Sequence, residues 1–203
     1  MQRARMAAVV AIGSLAVAAA TAGAAPTGCV PSGSRPLRAS GPARIYSRGA
    51  RLYGCVGSRR TLLGSLRGSA PFPARRVTLL FALSSRYAAT DTVDMGVDTL
   101  SSSVTLVDLR TGATVATAPA TTPANRPESF LTVTAIAVNA NGVAAWIGKR
   151  SAIGQPKPVC EVHALVGAKD RLLASGTTKV AALHLQGNKL SWQAAGQTHS
   201  ATL

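Results

Sequence analysis

The residues of this chain with the chemistry to catalyse or to hold a metal are few: three histidines, three cysteines and seven carboxylates among 203 residues. His163, His184 and His199 each stand singly within or beside a short apolar segment, so they can meet around a metal only through the fold. Alternation with Leu183 and Leu185 turns His184 away from the apolar side of its strand. There is no G-x-S-x-G elbow, no H-E-x-x-H pair and no glycine-rich phosphate loop. The sequence therefore assigns no catalytic residue, no cofactor and no metal ligand. The densest carboxylates are Asp91, Asp94 and Asp98, beside Gly96. Three oxygen donors so close together suit calcium, but their spacing departs from the EF-hand pattern. The stretch reads as a solvated turn, or as counter-charge for arginines elsewhere.

Those arginines are the chain's most unusual chemistry. Net charge is +15 at neutral pH and is unevenly spread. Between Ala25 and Thr90 lie eleven arginines and no acid, whereas from Asp91 to Leu203 nine lysines and arginines face seven carboxylates. On a strand, Arg44, Tyr46 and Arg48 share one face, and Arg51 and Tyr53 alternate in the same way. Interleaved guanidinium and phenol groups hold anions and stack on rings. Arg44, Arg48, Arg51, Arg59 and Arg60 are the anion-binding candidates, for an acidic envelope polymer, a lipid surface or a partner protein. A coding bias towards arginine explains the same composition without any ligand, and the sequence leaves both explanations open. No nucleic-acid-binding motif accompanies the charge, so sequence-specific nucleic-acid recognition is not expected.

The N-terminus gives these residues a compartment. Arg3 and Arg5 precede an apolar run from Met6 to Ala20, and Ala22-Gly23-Ala24 follows. That is the basic region, apolar region and small-residue cleavage site of a signal peptide over residues 1–24. The run is shorter than the ~20 residues a membrane span needs. Removing the first 24 of 203 residues leaves 179, and losing Arg3 and Arg5 lowers the charge from +15 to +13. No later stretch is long and apolar enough to span a bilayer. The expected location is secreted or cell-envelope, where two of the cysteines should pair. Cys29–Cys55 is the favoured bond, since it would pin a Pro/Ser/Gly-rich arm (25–41) to the first strand unit. Cys160, in an apolar strand, is then free and behaves as a small hydrophobe.

The elements that must position these residues are short. From residue 42 to 203 the chain shows apolar segments of Val, Thr, Leu and Ile separated by Gly, Asn and Ser clusters, with no sustained helical spacing. Four strand–turn–strand units stand out. They are centred on turns at 47–49, 84–86, 139–142 and 186–188, and the middle ones are followed by second strand pairs at 104–115 and 162–173. This predicts a single all-β domain over 42–203, a propeller-like array of short antiparallel units, with a β-sandwich as the alternative.

The run Val104-Thr105-Leu106-Val107-Asp108-Leu109-Arg110-Thr111-Gly112, with the strands Gly142 to Trp146 and Asn188 to Trp192, resembles the blades of secreted bacterial β-propeller repeat proteins. The resemblance spans residues 42–203 and implies architecture and export, with no catalytic residues to transfer. The functional expectation is an exported protein that binds rather than catalyses. The alternative is a secreted enzyme with a loop-built site; a cleft holding His163 or His184 beside a carboxylate would favour it.

Overall fold

Among the described residues, short runs of β-branched and small apolar residues, broken by Gly, Asn and Ser, form fifteen strands and no helix. The computed structural model describes residues 28–67, 75–96, 99–122 and 129–203. The expected signal peptide, residues 25–27 of the expected arm, and Asp98 lie outside the described residues.

The strands follow one another as antiparallel meanders. The first comprises β1 (Arg35–Ser40), β2 (Ala43–Arg48), β3 (Arg51–Val56) and β4 (Arg59–Ser65). Most of the second half of the expected arm is thus an edge strand, β1. The second meander is β5 (Arg75–Leu83), β6 (Tyr87–Met95), β7 (Leu100–Asp108) and β8 (Ala113–Pro119). The third is β9 (Ser129–Val138), β10 (Ala144–Ala152), β11 (Val159–Val166) and β12 (Lys169–Gly176). The last has three strands, β13 (Val180–Gln186), β14 (Lys189–Ala194) and β15 (Gln197–Thr202). The second and third join into one eight-stranded sheet through a single parallel bridge, Leu100 to Phe130. None of the three sheets is closed.

The meanders stack face to face in chain order, and the side-chain alternation of each strand decides what fills each interface. Ile45 and Leu52 of the first meander meet Ala88 and Val107 of the second, together with Leu109. The opposite face of the second, with Ala89, Val104 and Leu106, meets Val133, Trp146 and Leu165 of the third. The other face of the third, with Ala145, Val162 and Ala164, meets Leu190 and Trp192 of the last. The two inner meanders are therefore packed on both faces, so neighbouring residues such as Ala88-Ala89 of β6 and Leu106-Val107 of β7 are buried on opposite sides of one strand.

The acidic stretch departs from expectation. Asp91 to Met95 is the second half of β6, not a solvated turn. Asp91 is fully buried and accepts a hydrogen bond from the Ser102 hydroxyl, while Asp94 takes a bidentate bond from Arg76 at 2.6 and 3.1 Å. Both partners sit on neighbouring strands, so the carboxylates are held by side chains and the backbone is free to pair. The Arg76–Asp94 bond also makes Asp94 counter-charge for one arginine of the basic segment.

Candidate functional site

The first sheet has two unlike faces. Ala43, Ile45 and Leu52 look inward to the core. The intervening residues of β2 and β3 put Arg44, Tyr46 and Arg48, then Arg51, Tyr53 and Cys55, on the outer face, as alternation requires. Tyr46 pairs directly with Tyr53 across the strands, and their rings stack with centroids 5.4 Å apart and planes 14° from parallel. The Cys29–Cys55 disulfide lies in the same cluster, with Cα atoms 5.9 Å apart, and pins the segment before β1 against the tyrosines. Cys160 is free and buried.

Arg60 joins this face from β4, opposite Cys55, and its Nε donates to the Cys29 carbonyl at 3.0 Å. Arg44 donates to the carbonyls of Gly41 and Ala43, which fixes its stem without neutralising it. Arg48 and Arg51 are exposed and directly opposed at the end of the β2–β3 hairpin. Like charges facing one another across a hairpin repel, which disfavours the free protein and favours an anion between them. Arg59 does not belong here: it pairs with Val56, and its guanidinium lies beside Thr61 and Gly112 on the opposite face. Among the described residues, none of Arg44, Arg48, Arg51 and Arg60 forms an ion pair. Burial pushes the Tyr46 phenol up, an effect that the charges of Arg60 and Arg48 oppose.

A second polar constellation, built around His163, lies at the interface of the second and third meanders. His163 is buried in β11, stacked on Trp146 with centroids 5.2 Å apart. Its Nδ1 lies 2.9 Å from Asp170 Oδ1 and its Nε2 lies 3.0 Å from Glu161 Oε2. An ionised carboxylate only accepts, so each is placed to take a hydrogen bond from the ring nitrogen that faces it. Glu161 also accepts from the Thr122 amide at 2.6 Å, and its other oxygen lies 3.6 Å from Arg150 Nη1. Burial raises the Glu161 carboxyl, but the bonds from His163 and Thr122 outweigh it and hold it below its ordinary value. Arg150 in turn donates to the Thr122 carbonyl at 2.7 Å, and the Trp146 indole donates to Ala120 at 2.9 Å.

The network ties the chain that leaves β8 to β10 and β11. With His163 only 1% exposed and both ring nitrogens engaged, no nitrogen is left to take a substrate proton. Of the other histidines, His184 is exposed, flanked by half-buried Leu183 and Leu185, and His199 stacks on Trp192 at 5.9 Å. Among the described residues, no three His, Cys, Asp or Glu side chains are grouped to hold a metal ion, and no helix is long and apolar enough to cross a membrane. No protein-family model matches the chain, and no curated protein sequence matches it.

Proposed function

We propose that this is an exported, non-catalytic binding protein that engages an anionic envelope surface or partner through the outer face of its first meander. The observation that carries the reading is the convergence of Arg44, Arg48, Arg51 and Arg60 around a stacked tyrosine pair with no acid on that sheet. Such a face raises the local concentration of anions and orients them by guanidinium bonds, with the stacked tyrosines as a rigid base beneath. The disulfide supports export, because such bonds persist in oxidising compartments. The stacking of the four meanders in chain order supports a propeller-like arc of the kind found in secreted bacterial β-propeller repeat proteins. The enzyme alternative draws on His163 lying beside two carboxylates, but the burial of His163 and Glu161 favours a structural role.

The test is co-sedimentation of the mature protein, residues 25–203, with zwitterionic and anionic vesicles and with isolated envelope fractions. Binding to the anionic preparations that disappears when Arg44, Arg48, Arg51 and Arg60 are all changed to Gln supports the reading. Absence of binding at the lowest salt sinks it.

A further inference from the structure

A groove of about 640 Å³ opens between the first and second meanders, within the ~300–1,000 Å³ common for small-ligand sites. Its floor is a polar face of the second meander. Thr78, Thr92 and Ser103 stand in register across β5, β6 and β7, and Thr105 and Thr117 across β7 and β8, the last two hydrogen-bonded at 3.1 Å. Towards the β5–β6 turn this face carries Leu83, Ala88 and Val107 and is packed on the first sheet. Towards the groove it carries hydroxyls and the Arg76–Asp94 pair instead. A sheet face turned to a neighbouring sheet is ordinarily apolar, so a change of composition part-way along the same strands marks where the two sheets part around something polar. Among the described residues, the buried Thr78 hydroxyl has no hydrogen-bond partner there. The opposite wall brings Leu62, Leu63 and Arg51.

We propose that this groove binds a segment of an acidic polysaccharide. Rows of hydroxyls donate and accept equally, as sugar hydroxyls do. Arg76 and Asp94 add one strong donor and one strong acceptor. Leu62, 57% exposed, offers a surface to the apolar face of a sugar ring, and Arg51, with no ion pair among the described residues, meets a uronic carboxylate. The floor is a side-chain face rather than a strand edge, which favours a ligand read by hydroxyls over a peptide read by its backbone. The inference rests on the reading above in one respect, because Arg51 serves both the outer face and the groove.

The experiment is titration calorimetry of the full mature chain with an oligogalacturonate, a neutral oligosaccharide of the same length and oligoglutamate. Three variants are compared: Thr105→Val/Thr117→Val, Arg51→Gln and Arg44→Gln/Arg48→Gln/Arg60→Gln. Valine suits a strand, and circular dichroism checks that the fold is kept. The groove predicts that oligogalacturonate binds best and that loss of two hydroxyls weakens it about tenfold. It also predicts weakening in Arg51→Gln and little change in the triple variant. No binding of oligogalacturonate, or unchanged binding in the valine variant, overturns the groove while leaving vesicle and envelope binding through the outer face intact. Equal binding of oligoglutamate overturns the assignment to a glycan. If the triple variant loses vesicle binding but keeps the oligosaccharide, both sites stand.

Discussion

Asp91 and Glu161 are both buried carboxylates, yet their surroundings push them in opposite directions. Asp91 has one oxygen bonded to Ser102 and the other without a partner among the described residues, and burial raises its pKa from 3.8 to about 6 against that single bond. A raised folded-state pKa means that stability is fully present below about 3.8 and is lost as pH rises through about 6, an effect on the order of 3 kcal/mol. Glu161, and Asp108 with its bond from Arg86, are held low instead, so their contribution is present above the ordinary carboxylate range and is lost as pH falls below it. Together these give a stability optimum on the acid side of neutral. Asp91→Asn keeps an acceptor for Ser102 and cannot ionise. It should be more stable than wild type above about pH 6, with the difference vanishing near pH 4, in urea unfolding across that range. Parallel curves for the two proteins would remove Asp91 as the cause.

At the same scale, the Arg–Tyr face was legible in the sequence because alternation on two adjacent strands needs no knowledge of the rest of the fold. The His163 network was not. Its partners come from β10, β12 and the chain after β8, which only tertiary pairing brings together. The one local signal was the spacing of Glu161 and His163, two apart and hence on one face of a strand.

Among the elements, the turns were the most readable feature: the four central hairpins fall where Gly-, Asn- and Ser-containing clusters interrupt apolar segments. Strand extent was harder to read. Ala88-Ala89 and Leu106-Val107 are buried on both faces, so period-two alternation is hidden, and Asp91 and Asp94 mimic a loop until Ser102 and Arg76 are placed beside them. Gly148 shows how closely the elements fit. It lies in β10 at the bulge of the β9–β10 pair, and a Cβ there would run into the Ala120 carbonyl, the same oxygen that accepts the Trp146 indole bond. Backbone on both sides cannot yield as a side chain can. Gly148→Ala should therefore lower stability by about 2–4 kcal/mol, through loss of the buried Trp146 bond and displacement of the segment after β8. Thermal unfolding checks this, and a shift of only a degree or two would mean that the segment moves away freely.

Across the whole molecule, stability is spread over three stacked interfaces, with the disulfide at one end. The all-β class was legible from composition and turn spacing. The arrangement of the sheets was not, because their joining depends on one bridge between β7 and β9 that no local pattern encodes. Cys29 and Cys55 close a loop with a sequence separation of 26, and removing both as serine should cost about 2–4 kcal/mol. The loss should concentrate in the first meander, where the Arg60 bond to Cys29 and the packing under Tyr46 depend on that closure. Hydrogen exchange should then speed up in β1–β4 and stay unchanged in β9–β12; uniform acceleration would contradict this.

In the proposed binding mode, the position of the arginines, rather than their number, makes the face. The most direct measurement compares two variants of equal net charge on envelope fractions across a salt series. In one, Arg44, Arg48, Arg51 and Arg60 become Gln; in the other, Arg59, Arg67, Arg110 and Arg171, which are exposed elsewhere, become Gln. Binding through the outer face requires that the first loses retention at all salt concentrations and that the second stays close to wild type. Equal weakening of both would show that bulk charge alone drives retention, and would contradict it.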